Sequence, residues 1–277
     1  MMRPRGLSLL WSLMALVLGC ISCSQAEKTD SGAETATGQP QVEAQSANTE
    51  ETVPVGVRRL LKAYPGHIRE FVDGNLIMAD GTKIVYDSGK DKSFLDKLDN
   101  AEPVDMFSWD YDTSKGQPGY CEDPGRCRCE QLFKLMYGST SAQVQKHLIP
   151  VDWFGTTVQF SSMNGAADSL RAVSQEIKNH PDLVAYTKTA GTFYWRKVSG
   201  SNRLSAHSYG IAIDVGVSKS NYWKWDNPGK NETATIKYKN SMPLELVRIF
   251  ERHGFIWGGR WYHYDTMHFE FRPELLM

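Results

Sequence analysis

The sequence predicts an α+β fold in which helices flank a small antiparallel sheet. Runs with strand periodicity and runs with helical periodicity both occur after residue 56, but they do not alternate strictly. A doubly wound parallel sheet would require regular strand–helix–strand alternation, so the irregular order favours α+β. The chain has 277 residues, of which 41% are hydrophobic, which is enough for one domain of ordinary size or two small ones.

The first predicted elements are a hairpin and a short helix. Residues 75–87, NLIMADGTKIVYD, form two alternating runs joined by Asp80-Gly81, which is a hairpin turn signal. We therefore predict a β-hairpin there. Residues 93–100, SFLDKLDN, have the apolar spacing of a short amphipathic helix.

Two longer helices are predicted in the C-terminal half. One has apolar residues at helical spacing: Ala166, Leu170, Val173 and Ile177. Asn164 is its candidate N-cap, and Pro181 is a stop signal. The other covers MPLELVRIFERHGF at 242–255, with Pro243 near its first turn and Gly254 just past its end.

Short strands are predicted for TTVQF, GIAIDV and MHFEF, and the second contains an unexpected acid. In GIAIDV, the strand period of two places Ile211, Ile213 and Val215 on one face and Asp214 on the other. An aspartate on such an apolar strand is costly unless it is paired, hydrogen-bonded or bound to a metal ion.

Two histidines can reach this aspartate. His207 lies in the turn before the strand, and Gly210 allows the backbone to bend towards the face of Asp214. His268 lies in MHFEF, so the three side chains converge if the two strands are neighbours. Two imidazoles and a carboxylate with an open fourth position suit a catalytic zinc ion. The same geometry also allows a non-haem iron triad.

Asp265 and His263 precede the last strand. Asp265 belongs to the turn before His268, where it is placed to take a proton from a metal-bound water whose pKa zinc lowers to about 7. His263 is a candidate to contact the substrate or to donate to a carboxylate, with a metal-ligand role as the alternative.

The N-terminal 23 residues have the pattern of an export signal. Arg3 and Arg5 form a basic region, and the apolar stretch 7–18 is too short to span a bilayer comfortably. A glycine then precedes Cys20, a pattern that resembles a bacterial lipoprotein signal in which the cysteine is lipidated. Cys23 is a second candidate for the lipid site, and ordinary cleavage to a soluble secreted protein is the alternative.

Residues 24–55 predict a disordered tether. They are rich in Ser, Thr, Ala, Gln and Glu and nearly lack apolar anchors, so burial cannot offset the entropy of ordering. The formal net charge is −1, and Lys and Arg are dispersed along the chain. This distribution gives no indication of a nucleic-acid surface.

Three cysteines cluster in CEDPGRCRC. The sequence DPG at 123–125 predicts a turn that would bring Cys121 back onto Cys127 or Cys129. Because export implies an oxidising compartment, we predict a disulfide here. A thiolate zinc site is the alternative, but this segment offers no fourth ligand.

The combination SxHxxGxAxD at 205–214, followed by GGxW and DxMHFE at 258–270, resembles the zinc D-Ala-D-Ala carboxypeptidase family of bacterial cell-wall enzymes. Its relatives include vancomycin-resistance peptidases and phage L-Ala-D-Glu endolysins, and its fold is shared with the signalling domain of hedgehog proteins. The resemblance implies a zinc peptidase domain at 56–277. It covers residues 140–277 best, the catalytic core, and leaves 56–139 as an N-terminal extension.

The resemblance also implies a role for individual residues. Carried onto this chain, it makes His207, Asp214 and His268 the ligands of Zn²⁺. It makes Asp265 the general base, at a position where many relatives have Glu.

A further implied residue is an arginine upstream of the first motif, which polarises the scissile carbonyl and holds the developing oxyanion. We assign this role to Arg196, with Arg203 as the alternative.

The resemblance predicts an exported peptidase, lipid-anchored to the bacterial cell envelope, that acts on peptidoglycan stem peptides. The expected bond is D-Ala-D-Ala at the end of the stem. An endopeptidase that cuts L-Ala-D-Glu is the enzymatic alternative, and a non-catalytic zinc module that binds cell-wall peptide or a partner protein is the other. Asp265 and the arginine candidates favour an enzyme.

Overall fold

The computed structural model describes residues 53–277. The predicted export signal, most of the predicted tether, and both candidate lipid sites, Cys20 and Cys23, lie outside these residues. Helices and small antiparallel sheets are mixed along the described chain, which confirms the α+β class. Within the same range, no helix is both long enough and apolar enough to cross a membrane.

Helices and strands follow each other irregularly. The helices are α1 (Val55–Ala63), α2 (Phe94–Asp99), α3 (Glu130–Tyr137), α4 (Ser141–Gln145), α5 (Ala166–Ile177), α6 (Trp223–Asp226) and α7 (Leu244–Arg252). The strands are β1 (Ile68–Val72), β2 (Asn75–Met78), β3 (Lys83–Val85), β4 (Leu148–Trp153), β5 (Thr156–Ser161), β6 (Thr189–Gly191), β7 (Ala212–Val215), β8 (Phe255–Trp257) and β9 (His268–Phe271). They form sheets of order β1-β2-β3, β4-β5 and β6-β7-β9-β8.

The predicted hairpin is confirmed. Strands β2 and β3 pair antiparallel, with Leu76 opposite Ile84. In the turn, Gly81 has a φ of 85°, which suits glycine, and Asp80 Oδ1 accepts a 2.9 Å hydrogen bond from the backbone N–H of Thr82. The predicted short helix is α2, which Ser93 caps by accepting from the backbone N–H of Asp96.

The four-stranded sheet holds the two motif strands side by side. Strands β7 and β9 are its inner strands and pair antiparallel, so Asp214 lies directly opposite His268 and Ala212 opposite Glu270. This register confirms that the two strands are neighbours. Phe250 of α7 stacks on Phe269 of β9 at 3.9 Å between ring centroids, so the helix covers one face of the sheet.

Both long helices form where they were predicted, but the N-cap of α5 was assigned wrongly. Asn164 has a φ of 56° and belongs to a preceding 3₁₀ turn, and Gly165 is the N-cap instead. Helix α7 begins after Pro243 and is followed by Gly254 at a φ of 85°, as the sequence predicts.

The predicted disulfide is wrong for the described structure, in which Cys121, Cys127 and Cys129 are all free thiols. The turn directs them to different surroundings. Cys121 is partly exposed and its Sγ is 3.8 Å from the carbonyl oxygen of Glu232, whereas Cys129 is buried in the main hydrophobic core. Burial raises the pKa of Cys127 to about 12, which keeps this thiol protonated and unreactive.

Candidate active site

His207 is held in one orientation and one tautomer. It lies in the 3₁₀ turn Ala206–Tyr209, which Ser205 caps and which Gly210 ends at a φ of 66°. Its Nδ1 is 2.6 Å from the carbonyl oxygen of Thr192. A carbonyl can only accept, so Nδ1 carries the proton and Nε2 has the free lone pair.

The Nε2 of His207 is buried and has no hydrogen-bond partner among residues 53–277. It lies 3.2 Å from Asp214 Oδ1. The same carboxylate oxygen is 3.0 Å from Nδ1 of His268. One ligand atom from each of the three residues falls within 4.8 Å of the others, so the structure brings the three predicted ligands together.

The donor set fits a divalent metal ion. It offers an unpaired imidazole nitrogen from His207, a carboxylate from Asp214 and a second imidazole nitrogen from His268. The Nε2 of His268 is 3.1 Å from Glu270 Oε2, so this imidazole can donate to Glu270 and present Nδ1 to a metal ion.

The carboxylates around His268 favour the protonated form of its imidazole. Burial alone would lower the pKa of His268, but hydrogen bonds to Asp214 and Glu270 outweigh it and raise the pKa to about 10. The carboxyl of Asp214 has a pKa well below its usual range, because the neighbouring histidines outweigh its desolvation. A metal ion would take the place of the proton that these groups share.

Glu270 belongs to a buried network of charges behind His268. It accepts from Arg128 at 3.1 Å and from Arg272 at 2.7 Å, and it is fully buried. Arg272 in turn donates to Glu274 at 2.5 Å. Arg128, the hydrogen bond with His268 and Arg272 hold the pKa of Glu270 well below its usual range despite burial. This carboxylate therefore positions His268 and does not act as a free base.

Asp265 has the properties of a group that exchanges protons near neutrality. Burial and the charge of Asp214 raise its pKa to about 7. Its Oδ1 is buried and accepts no hydrogen bond from the described residues. Gly258 allows the turn to close, because a Cβ there would lie 2.5 Å from the carbonyl oxygen of Asp265.

One pocket contains all of the predicted site residues of the described chain. Its volume is about 260 Å³, and its lining includes His207, Asp214, His268, Asp265, Arg196 and Arg203. The two arginine candidates differ in setting. The Arg196 side chain is exposed, and its charge lowers the pKa of Asp265. Arg203 is largely buried, with Nε 3.1 Å from Asp99 Oδ1.

His263 lines the same pocket and contacts an acid, as proposed from the sequence. Its Nδ1 is 2.6 Å from Asp123 Oδ2, and both side chains are fully buried. Its ring packs edge-on against Trp223 at 4.8 Å and stacks on Phe94 at 5.7 Å. It lies outside the group of three ligands.

The two tryptophans near the last motif have different roles. Trp257 is buried in the core, where Gly259 packs directly on its ring. Trp261 lines the pocket and its ring centroid lies 5.6 Å from that of His268. Gly258 and Gly259, which lie between them, are therefore needed for close packing within the chain.

Several pocket residues were not assigned from the sequence: Arg126, Arg128, Tyr222, Trp223 and Trp225. The signal for the arginines was their position between cysteines in CEDPGRCRC, a segment that we interpreted only as a turn with a disulfide. The signal for the aromatic group was the density of rings in NYWKW at 221–225.

The comparison with known families agrees with the site. Residues 199–271 match the family model described as D-alanyl-D-alanine carboxypeptidase. The match confirms the family resemblance. It includes the three candidate ligands and Asp265, it excludes Arg196, and it supports a peptidase of this family. No curated protein and no solved structure matches the chain.

Proposed function

We propose that the protein is a zinc-dependent peptidase that hydrolyses the D-Ala-D-Ala bond of peptidoglycan stem peptides. The observation that carries this proposal is the grouping of His207, Asp214 and His268 in one pocket with Asp265. Three protein ligands with an open position are typical of catalytic zinc. The matched family supplies the substrate class.

The metal ion, held by His207, Asp214 and His268, would supply Lewis acidity towards the scissile carbonyl and make water a stronger acid. Asp265 takes the proton of the attacking water at its carboxylate and later gives it to the leaving amine. Burial raises its pKa above the usual value of an aspartate, which makes it a stronger base for this transfer.

Arg196 supplies the positive charge that stabilises the developing oxyanion. It lines the same pocket as the three ligands, and its charge acts on Asp265. There it donates to the oxygen that becomes negative as the carbon becomes tetrahedral. This stabilisation is greater in the transition state than in the bound substrate.

We also propose that the protein is exported and held at the cell envelope by a lipid on Cys20. The support is the sequence pattern alone: a basic start, an apolar stretch of about a dozen residues, and a glycine before the cysteine.

Incubation with defined muropeptides tests the activity. The zinc-loaded protein is mixed with a pentapeptide stem, and products are identified by mass spectrometry. Release of the terminal D-Ala is the expected result. A cut between L-Ala and D-Glu would show that the protein is an endopeptidase and not a carboxypeptidase. The Asp265→Asn variant is the inactive control. If the wild type cuts no more than this variant does, the peptidase proposal is contradicted.

A further inference from the structure

Three arginines line the pocket in addition to Arg196. They are Arg126, Arg128 and Arg203, and together we call them the arginine wall. Two of them come from the predicted N-terminal extension, well before the family match begins at residue 199. The wall is therefore built largely by a part of the chain that the family match does not cover.

Two carboxylates hold the guanidinium of Arg126 in place. Its Nη1 donates to Asp123 at 2.7 Å and its Nη2 donates to Glu232 at 2.9 Å. Asp123 is fully buried and also holds His263. These contacts fix the guanidinium in position before any ligand arrives.

The other two arginines have fewer partners. Arg128 donates from Nη1 to Glu270 at 3.1 Å. Arg203 has an ion-pair contact of 3.1 Å between Nε and the exposed Asp99, but the contact lacks hydrogen-bond geometry. The Nε–H of Arg203 is thus buried without an acceptor in the described part of the chain.

The acidic partners of the wall do not reach the pocket surface. Asp123, Glu232, Glu270 and Asp99 are absent from the described lining, whereas all three guanidinium groups belong to it. The wall therefore contributes only cationic groups to the lining, and the acidic members of the lining are Asp214 and Asp265. Burial and then the charges of Arg126 and Arg128 lower the pKa of Arg203 to about 10. An anion placed here would relieve this repulsion.

We propose that the arginine wall binds the carboxylate next to the scissile bond, which in a D-Ala-D-Ala substrate is the terminal carboxylate of the peptide. This inference rests on the proposed function and names the substrate group that the pocket recognises. In a peptide that ends in D-Ala-D-Ala, only the amide nitrogen and one Cα separate the scissile carbonyl carbon from the carboxylate carbon. The carboxylate must therefore enter the pocket that holds the metal ligands.

Not every interior bond could meet the wall in this way. After an ordinary α-linked bond the next carboxyl group is an amide, so no carboxylate lies beside the bond. In L-Ala-D-Glu of a stem peptide, D-Glu is linked onward through its γ-carboxyl and keeps a free α-carboxylate there, so the wall suits this bond as well as D-Ala-D-Ala. Arg196 differs from the arginines of the wall, because it is exposed and its charge acts on Asp265. The pocket thus has one arginine for the oxyanion and a separate group for the carboxylate.

Two matched substrates test the wall. One stem pentapeptide ends in a free carboxylate and the other is its C-terminal amide. For the zinc-loaded wild type we expect a kcat/KM about 10- to 100-fold higher for the free acid, the range that loss of a charged hydrogen bond produces. Equal kcat/KM for the two peptides would overturn the inference and leave the peptidase proposal standing.

The Arg203→Gln variant shows whether this preference comes from the wall. The ratio of kcat/KM for acid over amide should fall clearly below the wild-type ratio, mainly through a higher KM for the acid, although Arg126 and Arg128 remain. Asp99→Asn is the matched control, since it removes the same ion pair and keeps the guanidinium, and it should retain the wild-type ratio. An unchanged ratio in Arg203→Gln would contradict the assignment.

A binding measurement separates the wall from catalysis. Zinc-loaded Asp265→Asn should bind the free acid about 10- to 100-fold more tightly than the amide, by calorimetry. If the wild type cleaves neither peptide, the proposed function fails. The affinities still show whether the wall binds a carboxylate. Equal affinity for the two peptides would refute it.

Discussion

Asp214 of β7 lies directly opposite His268 of β9, with Asp214 Oδ1 3.0 Å from Nδ1 of His268. This cross-strand pair brings one residue from each of the two sequence motifs to a single point. His207 reaches the same carboxylate oxygen from the turn before β7. The three side chains and Asp265 line one pocket, from which the predictions below follow.

Replacing Asp265 by Asn should leave zinc content unchanged and remove nearly all turnover. The amide has almost the same size but cannot accept the proton of water, and general bases contribute typically about 10²- to 10⁴-fold. Activity on a stem peptide and metal analysis are measured on the same preparation. Loss of zinc together with activity would make Asp265 a ligand or a structural residue.

Arg196→Lys should lower turnover strongly, by about 100- to 1000-fold, with zinc content intact. Lysine keeps the charge but cannot reproduce the planar donors that an oxyanion requires. Arg203→Lys should stay within about tenfold of wild type, because the lysine ammonium can still attract a carboxylate. The opposite ranking on one defined stem peptide would transfer the oxyanion role to Arg203.

The Asp123 carboxylate should make stability sensitive to acid. Burial alone would raise its pKa, but Arg126 and His263 outweigh this and hold the pKa below its usual value. Its contribution is therefore complete above the unfolded pKa of about 4 and is lost as pH falls below it.

Urea unfolding of the metal-free protein at pH 7 and pH 3 tests this contribution. The Asp123→Asn variant should be less stable at pH 7 by about 3 kcal/mol, since a buried arginine loses a partner. It should also lose less stability than wild type between the two pH values. The same loss in both proteins would show that Asp123 does not supply the acid sensitivity.

The strand alternation around Asp214 allowed most of the metal site to be predicted from the sequence. An acid on an otherwise apolar strand needs a partner, and the period of two places it on a defined face. The β2–β3 hairpin and helices α2, α5 and α7 follow from equally local signals. Local pattern was sufficient wherever periodicity or turn chemistry determines the structure.

The arginine wall could not be predicted in this way. Arg126 and Arg128 reach the pocket because Asp123, Glu232 and Glu270 hold them, and these carboxylates are distant in sequence from one another. The wrong prediction of a disulfide also arose because contacts between residues distant in sequence could not be foreseen. A turn brings the two sides of the segment together, but Cys129 packs into the main hydrophobic core, and this packing determines where its thiol lies.

The N-terminal assignment is tested by fatty-acid labelling in a bacterial host. Wild type should incorporate a fatty-acid analogue, and Cys20→Ala should not, because the thiol of Cys20 is the proposed lipid site. Cys23→Ala is the matched control and should still be labelled. Labelling that persists in Cys20→Ala and disappears only in Cys23→Ala would move the anchor to the second cysteine.

The central claim is that His207, Asp214 and His268 hold one zinc ion. The most direct measurement is metal content by mass spectrometry of the purified protein and of its His207→Ala variant, with Arg171→Ala as an exposed control on α5. Wild type and control should contain about one zinc per chain, and His207→Ala should lose most of it. Full zinc retention in His207→Ala would contradict the account.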